Sequence, residues 1–298
     1  MRRFDWLIFL AMIVLAILGK GRDYGGEAPQ AETPRRPSPE RFEAKPWDAE
    51  TSAWLEKSAQ PVSGPAGGPS FIPAEGIIEV PEKAMPGTGT AFAVDKNGHW
   101  LTARHVIDGC TDILIQTGHR RAARVVGAAI HPGADAALLT TRGSPQPFPL
   151  AAATARVAEG YHFGFPKGRP GAVHGRLIGG MRLSNQGRYR ASEKVMVWGR
   201  RSQMPSGLKS IGGMSGGPVF DKGGRVIGIV LAESHRRGRI FTGIPETFRQ
   251  LLGQAGLSIA AAAPGLLVPP GLTPGGYPVS ARAMITSLRI AKVLCRVS

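Results

Sequence analysis

Between residues 76 and 253 the chain breaks into short apolar or alternating runs bounded by Gly, Pro, Asn or Asp, and that texture constrains it to a β-sheet domain. The runs include residues 90–94 (Thr-Ala-Phe-Ala-Val), 112–116, 123–126, 136–140, 194–198 and 225–230. Two stretches, Asp95-Lys-Asn-Gly98 and Asp221-Lys-Gly-Gly224, carry the turn chemistry of hairpins. A helical period shows only late, in residues 245–252. Gly (41) and Pro (25) exceed a fifth of the 298 residues, which multiplies turns and argues against a helical bundle. The expectation is an all-β domain of about 180 residues, the size of a double barrel.

The flanks read differently. Residues 1–20 hold Met1-Arg2-Arg3, an unbroken apolar run from Trp6 to Leu18, and then Gly19 and Lys20. A basic start and an apolar stretch are the pattern of an export signal. Bulky Ile17 stands where a small residue is needed for cleavage, which favours an uncleaved anchor helix over a signal peptide. As a helix the run reaches only about 24 Å, so basic residues would snorkel at its ends. Residues 21–75 are a Pro/Gly-rich linker, too polar to offset their ordering entropy, with a short helix considered at 48–57. The domain is placed at 76–257. Residues 258–298 form a C-terminal extension whose first part is again a Pro/Gly-rich linker. Its last run alternates from Leu288 well enough for a strand returning to the domain, with a short helix as the alternative.

Net charge is +16 and uneven: residues 161–210 hold ten Lys/Arg against one acid, Glu193. Such a field attracts acidic polypeptides, phospholipid headgroups or nucleic acid, or is a solvated surface. No aromatic-interleaved nucleic-acid motif accompanies it, so no nucleic-acid partner is expected. The two cysteines, Cys110 and Cys295, are too few for a zinc site, and no metal or other cofactor is implied. In an oxidising compartment they could pair, which would pin the C-terminal tail near His105.

The chemistry concentrates in Gly212-Gly-Met-Ser215-Gly-Gly-Pro218. A serine between glycines at a tight turn projects its hydroxyl, and glycine admits the geometry that turns successive N–H groups to one point. The N–H groups of Gly213 and Ser215 are the candidate oxyanion hole. A Gly-rich hairpin with an incidental serine is the bland alternative. The hydroxyl needs a base, and His105 follows a hairpin and an apolar strand. His99, His119, His131, His162, His174 and His235 lie at turns or among basic residues, where a surface imidazole is the default. Asp135, at the mouth of the apolar run 136–140, suits an imidazole N–H.

Four segments then match one family in order and spacing: residues 87–94 (Gly-Thr-Gly-Thr-Ala-Phe-Ala-Val), 101–107 (Leu-Thr-Ala-Arg-His-Val-Ile), 135–139 (Asp-Ala-Ala-Leu-Leu) and 213–220 (Gly-Met-Ser-Gly-Gly-Pro-Val-Phe). Over about 87–252 the chain resembles the Do-like (HtrA) bacterial branch of trypsin-like serine proteases. The resemblance implies a chymotrypsin-like double β-barrel with His105 as general base, Asp135 as its orienter and Ser215 as nucleophile. It also implies a polypeptide substrate pairing with the edge at Val230, Leu231 and Ala232. Specificity-pocket walls are expected near Lys209 and residues 241–244. Two departures stand out: Met214 replaces the family's usual Asn, and no PDZ module is expected in the Pro-rich stretch after 253. With the N-terminus, the resemblance places the domain on the periplasmic side of a bacterial inner membrane, or free in the periplasm if the signal is cleaved. The competing expectation is a catalytically latent or non-catalytic binding protein that keeps the protease fold at the cell envelope. Oligomeric state is not legible.

Overall fold

The computed structural model describes residues 75–154, 157–257 and 272–298. The expected anchor at 1–20, nearly all of the linker at 21–75 and the helix considered at 48–57 lie outside the described residues. Among the described residues the first strands are β1 (Glu75–Val80), β2 (Gly87–Ala93), β3 (His99–Thr102), β4 (Asp112–Gln116), β5 (Ala122–Arg124), β6 (Gly127–Ile130) and β7 (Ala137–Thr140). The rest are β8 (Glu159–Gly164), β9 (Gly171–Gly187), β10 (Ala191–Met204), β11 (Pro218–Phe220), β12 (Val226–Ser234), β13 (Arg239–Gly243) and β14 (Ile290–Arg296). Three α-helices accompany them among the described residues: α1 (Arg104–Ile107), α2 (Pro245–Gln254) and α3 (Tyr277–Thr286). No helix among the described residues is long and apolar enough to cross a membrane.

The described residues are mostly β-sheet, in two seven-stranded sheets. The first runs β5-β4-β14-β2-β3-β7-β6, and the second β1-β9-β10-β13-β12-β11-β8. Because β8 also pairs with β9, the second sheet closes on itself, with β1 added in parallel on β9. Each sheet buries a tryptophan whose indole N–H is satisfied by a threonine hydroxyl, Trp100 to Thr141 and Trp198 to Thr242, both at 2.9 Å. One apolar cluster crosses from Phe92 and Phe148 to Phe163 and Phe220, so the two sheets share a core. Both expected hairpin turns form around an aspartate that accepts backbone N–H groups, Asp95 from Asn97 and His99, and Asp221 from Arg225.

Several elements depart from the sequence pattern. The run 123–126 is cut short: β5 ends at Arg124, and Val125 and Val126 lie between β5 and β6, with Val126 exposed. The long hairpin of β9 and β10 extends far beyond the run 194–198, because glycines inside β9 mask a strand: a Cβ on Gly171 would meet the Pro166 ring at 2.4 Å, and one on Gly175 the His162 ring at 3.0 Å and the Trp198 side chain at 3.2 Å. Helix α3 occupies residues read as the border of a linker, and buries Tyr277, Ala281, Met284 and Ile285. The final run is a strand. β14 lies between β2 and β4, in the interior of the first sheet. A disulfide joins Cys110 to Cys295 on β14, with Cα atoms 5.4 Å apart.

Three of the histidines read as surface residues are instead buried: His131, His162 and His174. Burial drives His162 down to about 3, so it is a neutral core residue, edge-on to Trp198 and hydrogen-bonded to the Val173 carbonyl. His162 and His174 lie where β8 and β9 are buried on both faces, and the glycines had hidden those strands, while His131 follows β6.

Candidate active site

Strands β3 and β7 pair antiparallel with Thr102 opposite Ala137. The end of β3 therefore meets the start of β7, and His105, three residues past one, comes to Asp135, two residues before the other. Asp135 Oδ2 accepts from His105 Nδ1 at 2.7 Å, and Oδ1 accepts from the His105 backbone N–H at 2.9 Å. A carboxylate at Nδ1 holds the ring proton there and leaves Nε2 as the acceptor. The Asp135 side chain is only 2% exposed against 29% for His105, so the ring alone faces solvent.

Two further donors complete the carboxylate. Tyr189 Oη–H donates to Oδ1 at 2.9 Å, and Asn185 Nδ2 to Oδ2 at 3.1 Å. Both come from the β9–β10 hairpin of the other sheet, which is fastened by Arg188 to Asp108 at 2.5 Å and by Arg104 lying 3.9 Å over the Tyr189 ring. Burial alone would raise the Asp135 pKa, but the His105 charge and these hydrogen bonds outweigh it and hold the carboxyl below its usual range. Burial likewise disfavours the imidazolium of His105, and the Asp135 charge and hydrogen bond outweigh it, so its pKa is raised. A second carboxylate, Glu193 on β10, accepts the Asp135 backbone N–H at 2.7 Å and is pushed up to about 7 by burial.

Ser215 lies three residues before β11, in a loop that glycine makes possible. Gly213 has φ +99° and Gly216 φ +85°, both in the left-handed region. A Cβ on Gly213 would fall 2.5 Å from the Phe165 carbonyl oxygen, and one on Gly216 2.1 Å from that of Thr90. The Gly212 carbonyl accepts from the Lys167 N–H at 2.6 Å. In a trans peptide the N–H points opposite to the C=O, so the Gly213 N–H faces away from Lys167. Neither it nor the Ser215 N–H has a protein acceptor among the described residues. Thr90 clamps the loop from the other sheet: its hydroxyl donates to Gly213 O at 2.8 Å and its N–H to Ser215 O at 2.8 Å. Met214 is fully buried in the apolar core of the second sheet with Val173, Trp198 and Val230, a role that needs no amide. The Ser215 hydroxyl rests on the Leu231 carbonyl at 3.4 Å, and no hydrogen bond joins it to His105.

Strand β11 pairs with β12 only as far as Pro218 opposite Ile229. Val230 uses its C=O and N–H on Gly216 and Gly217, at 2.8 Å and 2.9 Å. Of the three edge residues read from the sequence, Val230 is thus occupied by the nucleophile loop, and a free edge opens at Leu231 and Ala232. Glu233 follows, and its carboxylate accepts from the Ser210 hydroxyl and from the Ile211 N–H at 2.9 Å. Thr90, Lys167, Asn185, Tyr189, Glu193 and Glu233 are the site residues that sequence reasoning missed. No motif marks them, and only the folded topology brings them here. Among the described residues no group of three His, Cys, Asp or Glu is arranged to hold a metal.

Residues 89–229 match the family model of the trypsin-like peptidase domain. The uncharacterized protein y4bJ of Sinorhizobium fredii is 28% identical over 184 residues, which are 61% of this chain and 27% of that protein, so the chain spans only a minor part of its relative. Among solved structures, the Rv3671c protease of M. tuberculosis in its active form is similar with TM-score 0.48 and 18% identity, over 65% of this chain and 96% of that one. The MamO protease domain of Magnetospirillum magneticum, in apo form, gives TM-score 0.43 and 17% identity over 59% and 96%.

Proposed function

We propose that this chain, a trypsin-like peptidase over residues 89–229, is a serine endopeptidase of double-barrel form that cleaves polypeptides through an acyl-enzyme on Ser215. One observation carries the reading: a buried carboxylate, Asp135, grips His105 at both its backbone and its Nδ1, beside a loop in which the N–H groups of Gly213 and Ser215 have no protein acceptor among the described residues. In the reaction His105 Nε2 takes the proton of Ser215 as the hydroxyl oxygen attacks the scissile carbonyl carbon. Asp135 stabilises the imidazolium that forms. The Gly213 and Ser215 N–H groups receive the developing oxyanion, and removing one such donor typically costs about 10²–10³-fold in rate. The imidazolium then gives its proton to the departing amine. Water, activated by the same ring, hydrolyses the ester. The substrate lies along the β12 edge from Leu231 onward, as an added antiparallel strand.

Export and membrane tethering rest on the first twenty residues, and the Cys110–Cys295 disulfide accords with an oxidising compartment. A second reading, a latent resting state, is favoured by the Ser215 hydroxyl sitting on Leu231 O rather than on His105. Catalytic hydrogen bonds often tighten only with substrate bound, so this resting geometry accords with either reading.

The test is fluorophosphonate labelling of the full chain beside Ser215→Ala. Labelling that requires Ser215, together with cleavage of an unfolded protein, is the expected result. A folded chain that neither labels nor cleaves would leave the binding-protein reading in its place.

A further inference from the structure

A cavity of about 390 Å³ opens between the end of β10, the segment leading into the nucleophile loop and the turn after β12. Arg200 and Arg201 line it from β10, Leu208 and Lys209 from the segment, and His235 from the turn. Its charge is uncompensated. Arg200, Arg201 and Lys209 make no ion pair among the described residues, nor do Arg236 and Arg237 of the adjoining turn. By contrast Arg104, Arg124, Arg188, Arg225 and Arg296 each engage an aspartate. The nearby carboxylate, Glu233, is already held by Ser210 and Ile211. One guanidinium nitrogen of Arg200, Nη1, is buried with no hydrogen-bond partner. A buried donor without an acceptor is costly, and an occupant carrying a carboxylate would supply the acceptor in the planar geometry arginine favours.

The position of the cavity says what would bring that carboxylate. Lys209 lies six residues before Ser215, and His235 directly follows the β12 edge. A polypeptide paired antiparallel to that edge, with its scissile carbonyl at Ser215, runs toward Ser234 and His235 as it is followed toward its own N-terminus. The volume suits one or two side chains, whereas a nucleic-acid strand needs a groove that tracks several nucleotides. We propose that this cavity receives an acidic side chain of the substrate, an Asp or Glu at or a few residues N-terminal to the scissile bond. The inference deepens the endopeptidase reading and rests on it for the word substrate, but binding itself does not require turnover.

Binding is therefore measured on the full chain carrying Ser215→Ala, by fluorescence anisotropy, with a Glu/Asp-containing peptide and its Gln/Asn counterpart. The acidic peptide is expected to bind at least about tenfold tighter, a difference of about 1.4 kcal/mol. That margin should collapse in Lys209→Gln and in Arg200→Gln, and inorganic phosphate should compete. If Arg200→Gln does not fold, Arg201→Gln with Lys209→Gln carries the test. Equal affinity for the two peptides would overturn the proposal, as would a margin untouched by these variants. Tighter binding of a single-stranded oligonucleotide, lost in the same variants, would make the cavity a nucleic-acid site instead. Fluorophosphonate labelling of the Ser215 protein decides the protease reading separately, so the two can fail independently.

Discussion

The ring of His105 is oriented through a carboxylate that is itself held on every side. Asp135 accepts four hydrogen bonds, two from His105 and one each from Tyr189 and Asn185. Asp135→Asn removes the acceptor for Nδ1–H and should lower kcat by about 10⁴-fold while the fold persists. Tyr189→Phe removes one donor, which leaves Asp135 a stronger partner for the imidazolium. The acid limb of the kcat/KM profile should then move to higher pH by less than about one unit. An unmoved limb, with activity simply reduced, would assign Tyr189 a packing role only. Glu193 supplies a separate handle on stability. Its pKa is about 7 in the fold against 4.5 in the free side chain, because burial disfavours its charge. The fold therefore holds that proton more tightly than the unfolded chain does. The corresponding stability is complete below about pH 4.5 and is lost as pH rises through 7. Glu193→Gln keeps an acceptor for the Asp135 N–H and never ionises. Relative to wild type it should gain stability between pH 4.5 and 7.5, on the order of 3 kcal/mol, and level off above. Chemical denaturation across that range that shows a constant difference would refute this account.

Among the elements, β14 places the greatest demand on chain order. The last strand in sequence sits between β2 and β4, so the first sheet closes its interior only after the second sheet has been synthesised. Cys110 and Cys295 lock it there across 185 residues of sequence. A loop of that length corresponds to about 5 kcal/mol in the chain-entropy description, with about 2–5 kcal/mol more usual in practice. Reduction, or Cys110→Ser, should lower the unfolding free energy by that smaller amount. Identical denaturation midpoints with and without reductant would show that β14 holds by pairing and packing alone. The elements also show what a sequence can disclose. β2, β7, β12 and α2 were legible because their apolar residues follow one clear period between turn residues. β9 was not, because glycines such as Gly171 and Gly175 stand inside it where neighbours pack too closely for a side chain, rather than at a turn. α3 was hidden behind Pro274, Gly275 and Gly276 of its approach and Pro278 in its first turn, where a proline is tolerated. The pairing of β14 is a long-range fact that alternation from Leu288 could suggest as a strand but could not place.

At the scale of the molecule the site is a seam. His105 and Asp135 belong to the first sheet and Ser215 to the second, and motif order made all three visible before any geometry was known. The residues that join the halves carry no motif, since their partners lie far away in sequence. Thr90 is the clearest of them. It stands on β2 in the first sheet, fully buried, and its hydroxyl donates to Gly213 O while accepting the Phe165 N–H at 3.1 Å. The peptide before Gly213 is fixed through Gly212 O by Lys167, and the peptide after it through Gly213 O by Thr90. Glycine has the freedom to rotate between them, so losing the Thr90 anchor loosens the backbone setting of the loop that carries the Gly213 N–H. Thr90→Val keeps the shape and deletes the hydroxyl, leaving Gly213 O and Phe165 N–H without that partner. Losing a buried hydrogen bond costs about 1–3 kcal/mol. The melting temperature should fall, and kcat should fall by up to about 10²-fold with KM for a short peptide little changed. Thr90→Ser retains the hydroxyl and should recover most of the rate even where it recovers little stability, because the lost methyl affects packing but not the anchor. If Val and Ser variants lose rate in proportion to stability alone, Thr90 only fills the seam and the loop is positioned by other means.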